Sequence, residues 1–323
     1  MLTLKEQFQN YRFRHWALPA FNIDSFEIYQ AVEMAVAETN LPCLVQLSPG
    51  EDKFVDANRL LMLVKKANLE GLPIYLNMDH GADVRRLEEC LRLGFDMVHF
   101  DGSKMDYDTN LSTSAFFVKE MKSKYPQALI ELEFNHINLV DDTPAPDSFT
   151  KPAQALDFVN KTGADLLAVS IGNLHGVNTL APERLNISLL SEINSAVGDQ
   201  TFFTLHGGSG VPLTQIQESL ALGVVKVNIN TDLRLKFIES LRHQLTIQNT
   251  EKIYQYLTPA VAEVAVKWGT FVTVAIEFLV IAFVMFMVIK AINKMKKNEP
   301  APPPPGPSAE EKLLMEIRDA LKK

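Results

Sequence analysis

The stretch YLNMDHGADV (75–84) runs through four residues suited to a core strand, Tyr75 to Met78, and then meets Asp79-His80-Gly81. A strand needs no charge at its end, whereas an acid beside an imidazole suits a metal ion or a moving proton. The same event recurs along the chain. Short β-branched or aliphatic runs end in polar residues at ALPAFNID (17–24), LPCLVQLSPG (41–50), LPIYLNMDHG (72–81), DMVHFDGS (96–103), ALIELEFN (128–135), DLLAVSIGNLHG (165–176), TFFTLHGGSG (201–210) and VVKVNINTD (224–232). Helix-patterned stretches such as SFEIYQAVEMAVAET (25–39) and DVRRLEECLRLG (83–94) lie between them. Alternating strand and helix implies parallel pairing. Eight such units within about 250 residues predict a closed (β/α)8 TIM barrel rather than an open sheet.

The unusual residues fall at one place in that pattern. Asn22, Ser48, Asp79, His80, Asp101, Glu133, His175, His206 and Asn228 all lie at or just past the C-terminal end of a run. In a parallel barrel those ends converge on the face that carries catalysis. His80, His175 and His206 are each followed by glycine. One such His-Gly is ordinary for a loop, but three from different strands make a site suited to zinc with positions left open. Asp101 and Glu133 then either bind a second or alternative metal position or orient the histidines. The other histidines, His15, His99, His136 and His243, are read as structural or exposed, with His99 and His136 close to the site. HGGSGV (206–211) after the seventh run and NINTD (228–232) after the eighth predict a phosphate cradle. Lys226, the lysine of a late strand, is read as facing away from the barrel interior on the alternation of Val225, Val227 and Asn228, so Schiff-base chemistry is not expected.

Bulk properties narrow the class. The chain has 323 residues, is 47% hydrophobic and carries a formal net charge of -8, which fits one large domain with an appendage, or two domains, and argues against nucleic acid as the main partner. Two cysteines, Cys43 and Cys90, in apolar surroundings imply no disulfide framework and a reducing compartment. The opening MLTLKEQFQNYRFRHW has no apolar core, so no secretory signal is expected. After Leu257 the character changes. A junction, 258–269, leads to TFVTVAIEFLVIAFVMFMVI (270–289), long enough to span a bilayer and interrupted by one charge. A basic and proline-rich linker, 290–307, and an amphipathic helix, 308–323, follow. In the latter Ser308 and Glu311 form a capping box and Leu314, Ile317 and Leu321 a bundle seam. Lysines beyond the apolar run place that end in the cytoplasm, at odds with a cytoplasmic barrel, so the two parts read as a gene fusion, an engineered chimera or a mis-joined gene.

PAFN, LVQLSPG, MDHG, FDGS, ELEF, SIGNLHG, LHGGSGV and VKVNINTDLRLKF, in that order, resemble the class II zinc-dependent fructose-bisphosphate and tagatose-bisphosphate aldolases over about residues 2–257. The resemblance implies zinc on His80, His175 and His206, with Asp101 and Glu133 as second-metal or orienting carboxylates. It implies that Asp79 handles the C4 hydroxyl proton and that Asn228 holds the enediolate. Gly176, Gly207, Ser209, Asn230 and Thr231 would bind the dihydroxyacetone phosphate end, with a monovalent cation (Na+ or K+) nearby, and Asn22 and Ser48 would line the substrate site. Arg234 looks like the residue that reaches a neighbouring subunit for the second phosphate, which implies a dimer or larger homo-oligomer. Two departures stand out. The stretch FNHINLVDDTPAPDS (134–148) lacks the family's paired glycines and offers Asp141 or Asp142 as its nearest carboxylate, and Asn230 stands where fructose-bisphosphate enzymes often carry Asp. The C-terminal segment, through EFLVIAF, FMVIKAINK and LLMEIRDALKK, resembles the second transmembrane helix and terminal helix of the large-conductance mechanosensitive channel. The expected activity is aldol cleavage of a ketose 1,6-bisphosphate. The alternatives are a membrane protein carrying the barrel as passenger and an impaired barrel that only binds sugar phosphate.

Overall fold

A computed structural model describes residues 1–139, 148–176 and 184–266, together with Met315 and Arg318, both helical. The chain divides into two compact units, Met1–Thr270 and Phe271–Lys323. The first is the expected barrel. Its strands are β1 (Leu18–Asn22), β2 (Cys43–Leu47), β3 (Ile74–Gly81), β4 (Met97–Asp101), β5 (Leu129–Glu133), β6 (Leu166–Ala168), β7 (Phe202–Leu205) and β8 (Val224–Ile229). All pair in parallel, each with its sequence neighbour, and β8 closes on β1. The helices are α1 (Leu4–Arg14), α2 (Phe26–Thr39), α3 (Pro49–Val55), α4 (Ala57–Leu69), α5 (Val84–Leu93), α6 (Tyr107–Lys124), α7 (Pro152–Thr162), α8 (Ile187–Val197), α9 (Leu213–Leu220), α10 (Thr231–Ile247) and a further helix over 253–266. Among the described residues no helix is long and apolar enough to cross a membrane. The expectations for 270–289 and 290–307, for all of 308–323 except Met315 and Arg318, and for Asp141 and Asp142 fall outside the described residues.

Local chemistry sets the helix ends. Asp83 and Asp106 accept amide hydrogens of the first turns of α5 and α6, and Gly94 and Gly163 end α5 and α7 in the left-handed conformation that costs glycine least. Period two along the strands then sorts side chains into layers. At the N-terminal end Leu18, Leu44, Tyr75, Met97, Leu129, Leu166 and Val225 close on Leu4, Phe8 and Tyr11 of α1, which plugs the barrel floor. The Tyr75 hydroxyl donates to the Leu2 carbonyl at 2.7 Å, tying that plug to β3. Above the floor lies a buried polar layer that includes Gln46, Asn77, His99, Glu131, Thr204 and Lys226.

One orientation differs from expectation. Lys226 is fully buried and its Nζ lies 2.8 Å from Glu131 Oε2, so it points into the barrel. Period two puts residues 226 and 228 on the same face, and the β7–β8 register slips by one residue just before Lys226. Asn228 and Lys226 therefore turn inward together.

Candidate active site

The mouth of the barrel opens into a cavity of about 460 Å³ lined by Asn22, Ser48, Asp79, His80, Asp101, Glu133, His175, Gly176, His206, Gly207, Ser209, Asn228, Asn230, Thr231 and Arg234. All the described residues singled out for the site thus share one space. Glu51, Lys104, His136 and Leu139 complete its wall.

Asp79 sits at the centre, 2% exposed, and is met by amide donors from three strands. Gln46 Nε2 lies 3.1 Å from its Oδ2, Asn228 Nδ2 3.4 Å and Asn22 Nδ2 3.5 Å. Burial would raise this carboxyl, but the charges of His80 and Lys226 hold it well below the usual carboxylate range. Glu133, equally buried, goes the other way. Desolvation, reinforced by the charges of Asp101, Glu131 and Asp79 against that of His80, lifts it well above the usual value. Their surroundings thus push these neighbouring acids in opposite directions.

Each histidine owes its setting to a different device. His80 is the penultimate residue of β3, where the β3–β4 register jumps between Met78 and Gly81, and it adopts a left-handed φ of 50°. Its Nδ1 lies 3.1 Å from Asp101 Oδ2 and 3.8 Å from Glu133 Oε2. Glycine follows because a Cβ at Gly81 would come within 2.3 Å of Leu87. His206 stands one residue past β7 and donates through Nε2 to Glu131 Oε1 at 2.7 Å, leaving the Nδ1 lone pair toward Asn228. At Gly207, φ 63°, a Cβ would collide with the Leu174 carbonyl at 1.9 Å, so no side chain fits beneath the cradle. His175 lies seven residues beyond β6, not at a strand end as expected, and is held by its amide to the Asn138 carbonyl at 2.8 Å.

Burial lowers His175 to about 4, with the charge of His80 adding to it, and desolvation lowers His206 to about 3. Both rings are neutral near pH 7 and keep a lone pair. His80 keeps its proton more tightly, because Asp79 and Asp101 outweigh the effect of burial. The His80 ring centroid is 5.0 Å from that of His175 and 4.6 Å from that of His206. Ligand atoms of Asp79, His80, His99 and His206 lie within 4.8 Å of one another, as do those of His80, Asp101 and Glu133. His175 stands outside both sets, its ring centroid 5.8 Å from that of His206. Its Nε2 and Glu133 Oε2 are buried without a hydrogen-bond partner among the described residues. Soft neutral nitrogens beside orphaned acceptors fit a divalent ion of the zinc type.

Beside this group the cradle is built from the β7 and β8 loops. Ser209 Oγ accepts the amides of Asn230 at 3.3 Å and Asp232 at 3.2 Å, which fixes the N-terminus of α10 against the glycine turn. Gly176, φ 118°, and Thr231 complete the rim. A 17-residue helix aimed at a glycine turn is suited to an anion. Further along α10, Arg234 is paired with Asp24 and Glu51. Glu51 rises to about 7 through burial and the charge of Asp24, against the opposing pull of Ser48, Asn22 and Arg234.

The structure adds groups the sequence reading passed over. His99, expected close to the site in a structural or exposed role, is fully buried against it, 3.3 Å from Asp79 Oδ1 and 3.5 Å from Glu133 Oε2. Glu131 links His206 to Lys226 and was not singled out. Both sit two residues before a recognised carboxylate, Asp101 and Glu133, so period two alone would have found them.

The family model "Fructose-bisphosphate aldolase class-II" matches residues 2–274. The chain belongs to that family. Among members of this aldolase family, the D-tagatose-1,6-bisphosphate aldolase subunit GatY of Klebsiella oxytoca is 31% identical over 233 residues, covering 71% of this chain and 80% of the relative. A fructose-bisphosphate aldolase of Treponema pallidum is 31% identical over 288 residues, covering 76% and 86%. The crystal structure of the YdjI aldolase from Escherichia coli K12 superposes with a TM-score of 0.72 at 22% identity over 84% of this chain and 96% of that one, which shows the shared fold.

Proposed function

We propose that this class II aldolase cleaves a ketose 1,6-bisphosphate, fructose 1,6-bisphosphate first among them, to dihydroxyacetone phosphate and glyceraldehyde 3-phosphate, with zinc held by His80, His175 and His206. The observation that carries this is a buried, ionised Asp79 beside two neutral imidazoles, one with an unpartnered Nε2. When bound, the zinc supplies a Lewis acid for the substrate carbonyl.

The remaining work falls to side chains. Asp79 accepts the C4 hydroxyl proton as the C3–C4 bond breaks, its carboxylate kept ready by Gln46, Asn22 and Asn228. Asn228 turns its amide toward the oxygen that gains charge. Gly176, Gly207, Ser209, Asn230 and Thr231 anchor one phosphate, and Ser48 and Arg234 receive the other end. Asp101 and Glu133 orient His80 or take a second divalent ion, supported by their shared group with it. A Na+ or K+ ion near the cradle would meet the unpartnered Asn230 Oδ1. Asp141 or Asp142 supplies the carboxylate that exchanges the C3 proton. Exposed Leu235, Ile238 and Leu245 on α10, beside Arg234, support assembly into a dimer or larger oligomer. Residues 270–289 anchor a cytoplasmic barrel to a bilayer in this reading, which their apolar run in the sequence supports. Recovery of the full chain in the membrane pellet checks that part.

A cleavage assay on fructose and tagatose 1,6-bisphosphates tests the chemistry. Turnover is expected to vanish with a chelator, to return with zinc and to ignore borohydride added with substrate. Activity that survives metal removal contradicts the reading.

A further inference from the structure

His99 is a fully buried ring to which the proposed chemistry gives no task. Its centroid lies 4.8 Å from that of His80 and 5.0 Å from that of His206, and spacing alone would place it among the metal ligands. The protons argue otherwise. The backbone N–H of His80 points at His99 Nδ1 over 3.1 Å. A backbone N–H can only donate, so at 3.1 Å it claims a lone pair on Nδ1 ahead of the longer 3.3 Å approach of Asp79 Oδ1, and the ring proton is assigned to Nε2. Nε2 faces the Glu133 carboxyl at 3.5 Å. A nitrogen that carries hydrogen does not ligate, and the other nitrogen is already taken.

What His99 holds is a strained residue. His80 adopts φ 50°, a left-handed conformation that is strained for any residue with a side chain. There the β3–β4 ladder lapses, stepping from Met78↔Val98 to Gly81↔Phe100, and the His80 amide loses its regular backbone acceptor. The His99 side chain, projecting from β4, supplies the acceptor that the β4 backbone does not. Turned in this way, the His80 ring reaches Asp101 and stands beside His175 and His206.

We propose that His99 is a positioning residue which, through Nδ1, locks the left-handed turn at His80 and so presents the His80 imidazole to the metal; this rests on the reading of His80 as a ligand. Asparagine places an acceptor near the Nδ1 position, glutamine near Nε2, and leucine offers none. The test is cobalt titration of the metal-free full-length protein and its H99N, H99Q and H99L variants, read by visible absorption, with kcat and KM on fructose 1,6-bisphosphate. H99N is expected to bind cobalt within about 3-fold of the parent with the same band shape. H99Q and H99L should lose about 10–100-fold in affinity, with a shifted band and reduced kcat at little change in KM. Three variants that behave alike, all parental or all impaired, overturn the proposal. If H99L does not fold, H99N against H99Q decides. A parent protein that binds no cobalt instead overturns the metal reading itself, and the proposal falls with it.

Discussion

Leu18, Tyr75, Met97 and Leu129 form the floor of the barrel, and four residues along the same strands Asn22, Asp79, Asp101 and Glu133 form its mouth. The two ends are separated by two pleats, about 13 Å. At the floor every inward side chain is apolar or, like Tyr75, has its hydroxyl satisfied, and α1 seals it from water. At the mouth, buried acids crowd imidazoles and several polar atoms lack partners. One end lowers the free energy of the fold. The other holds buried polar groups that nothing among the described residues fully satisfies, which supports the proposed ion and phosphate site.

Substitutions at the two ends should therefore separate turnover from stability. His206→Ala is expected to abolish metal-dependent cleavage while the protein still unfolds cooperatively in a thermal melt. Asp79→Asn should lower kcat by about 10²–10⁴-fold, the range of a lost general base, with bound metal unchanged by elemental analysis. At the floor the pattern reverses. Phe8→Ala should cost about 3–5 kcal/mol in denaturant titration, with kcat per folded molecule unaltered. A floor variant that loses turnover without losing stability would break the comparison.

The smallest effect concerns Asp96, immediately before β4 at the floor end, which burial raises to about 6 although the Leu76 amide at 2.8 Å pulls it down. Between about pH 4 and 6 the folded chain holds a proton that the unfolded chain has released. Stability from this group thus falls as pH rises through that window and is flat above it. Asp96→Asn should remove that part of the slope, read as the difference between parent and variant melting temperatures from pH 4.5 to 7.

Much of the mouth was legible in sequence because polar residues interrupt apolar runs at a regular place. DHG, DGS and LHGGSG announced β3, β4 and β7 and their loops without any contact information. The floor was legible only as hydrophobicity, since nothing in LKEQFQNYRFR says that this helix plugs a barrel rather than packing on its side. Inward-facing charge within strands was the hardest to see. Glu131 and Lys226 are separated by 95 positions and make sense only as a pair, and His99 only as the partner of an amide on the next strand. Arg234 was identified as a phosphate ligand from its motif, but its pairing with Asp24 depends on a contact 210 residues away.

The account stands on three imidazoles meeting around a single ion at the mouth of the barrel. A crystal of zinc-loaded protein, with anomalous differences measured on either side of the zinc edge, tests this most directly. One strong peak about 2.0–2.1 Å from ring nitrogens of His80, His175 and His206 is the predicted result. A peak bound elsewhere, or none at the mouth of a crystal grown in zinc, would contradict it.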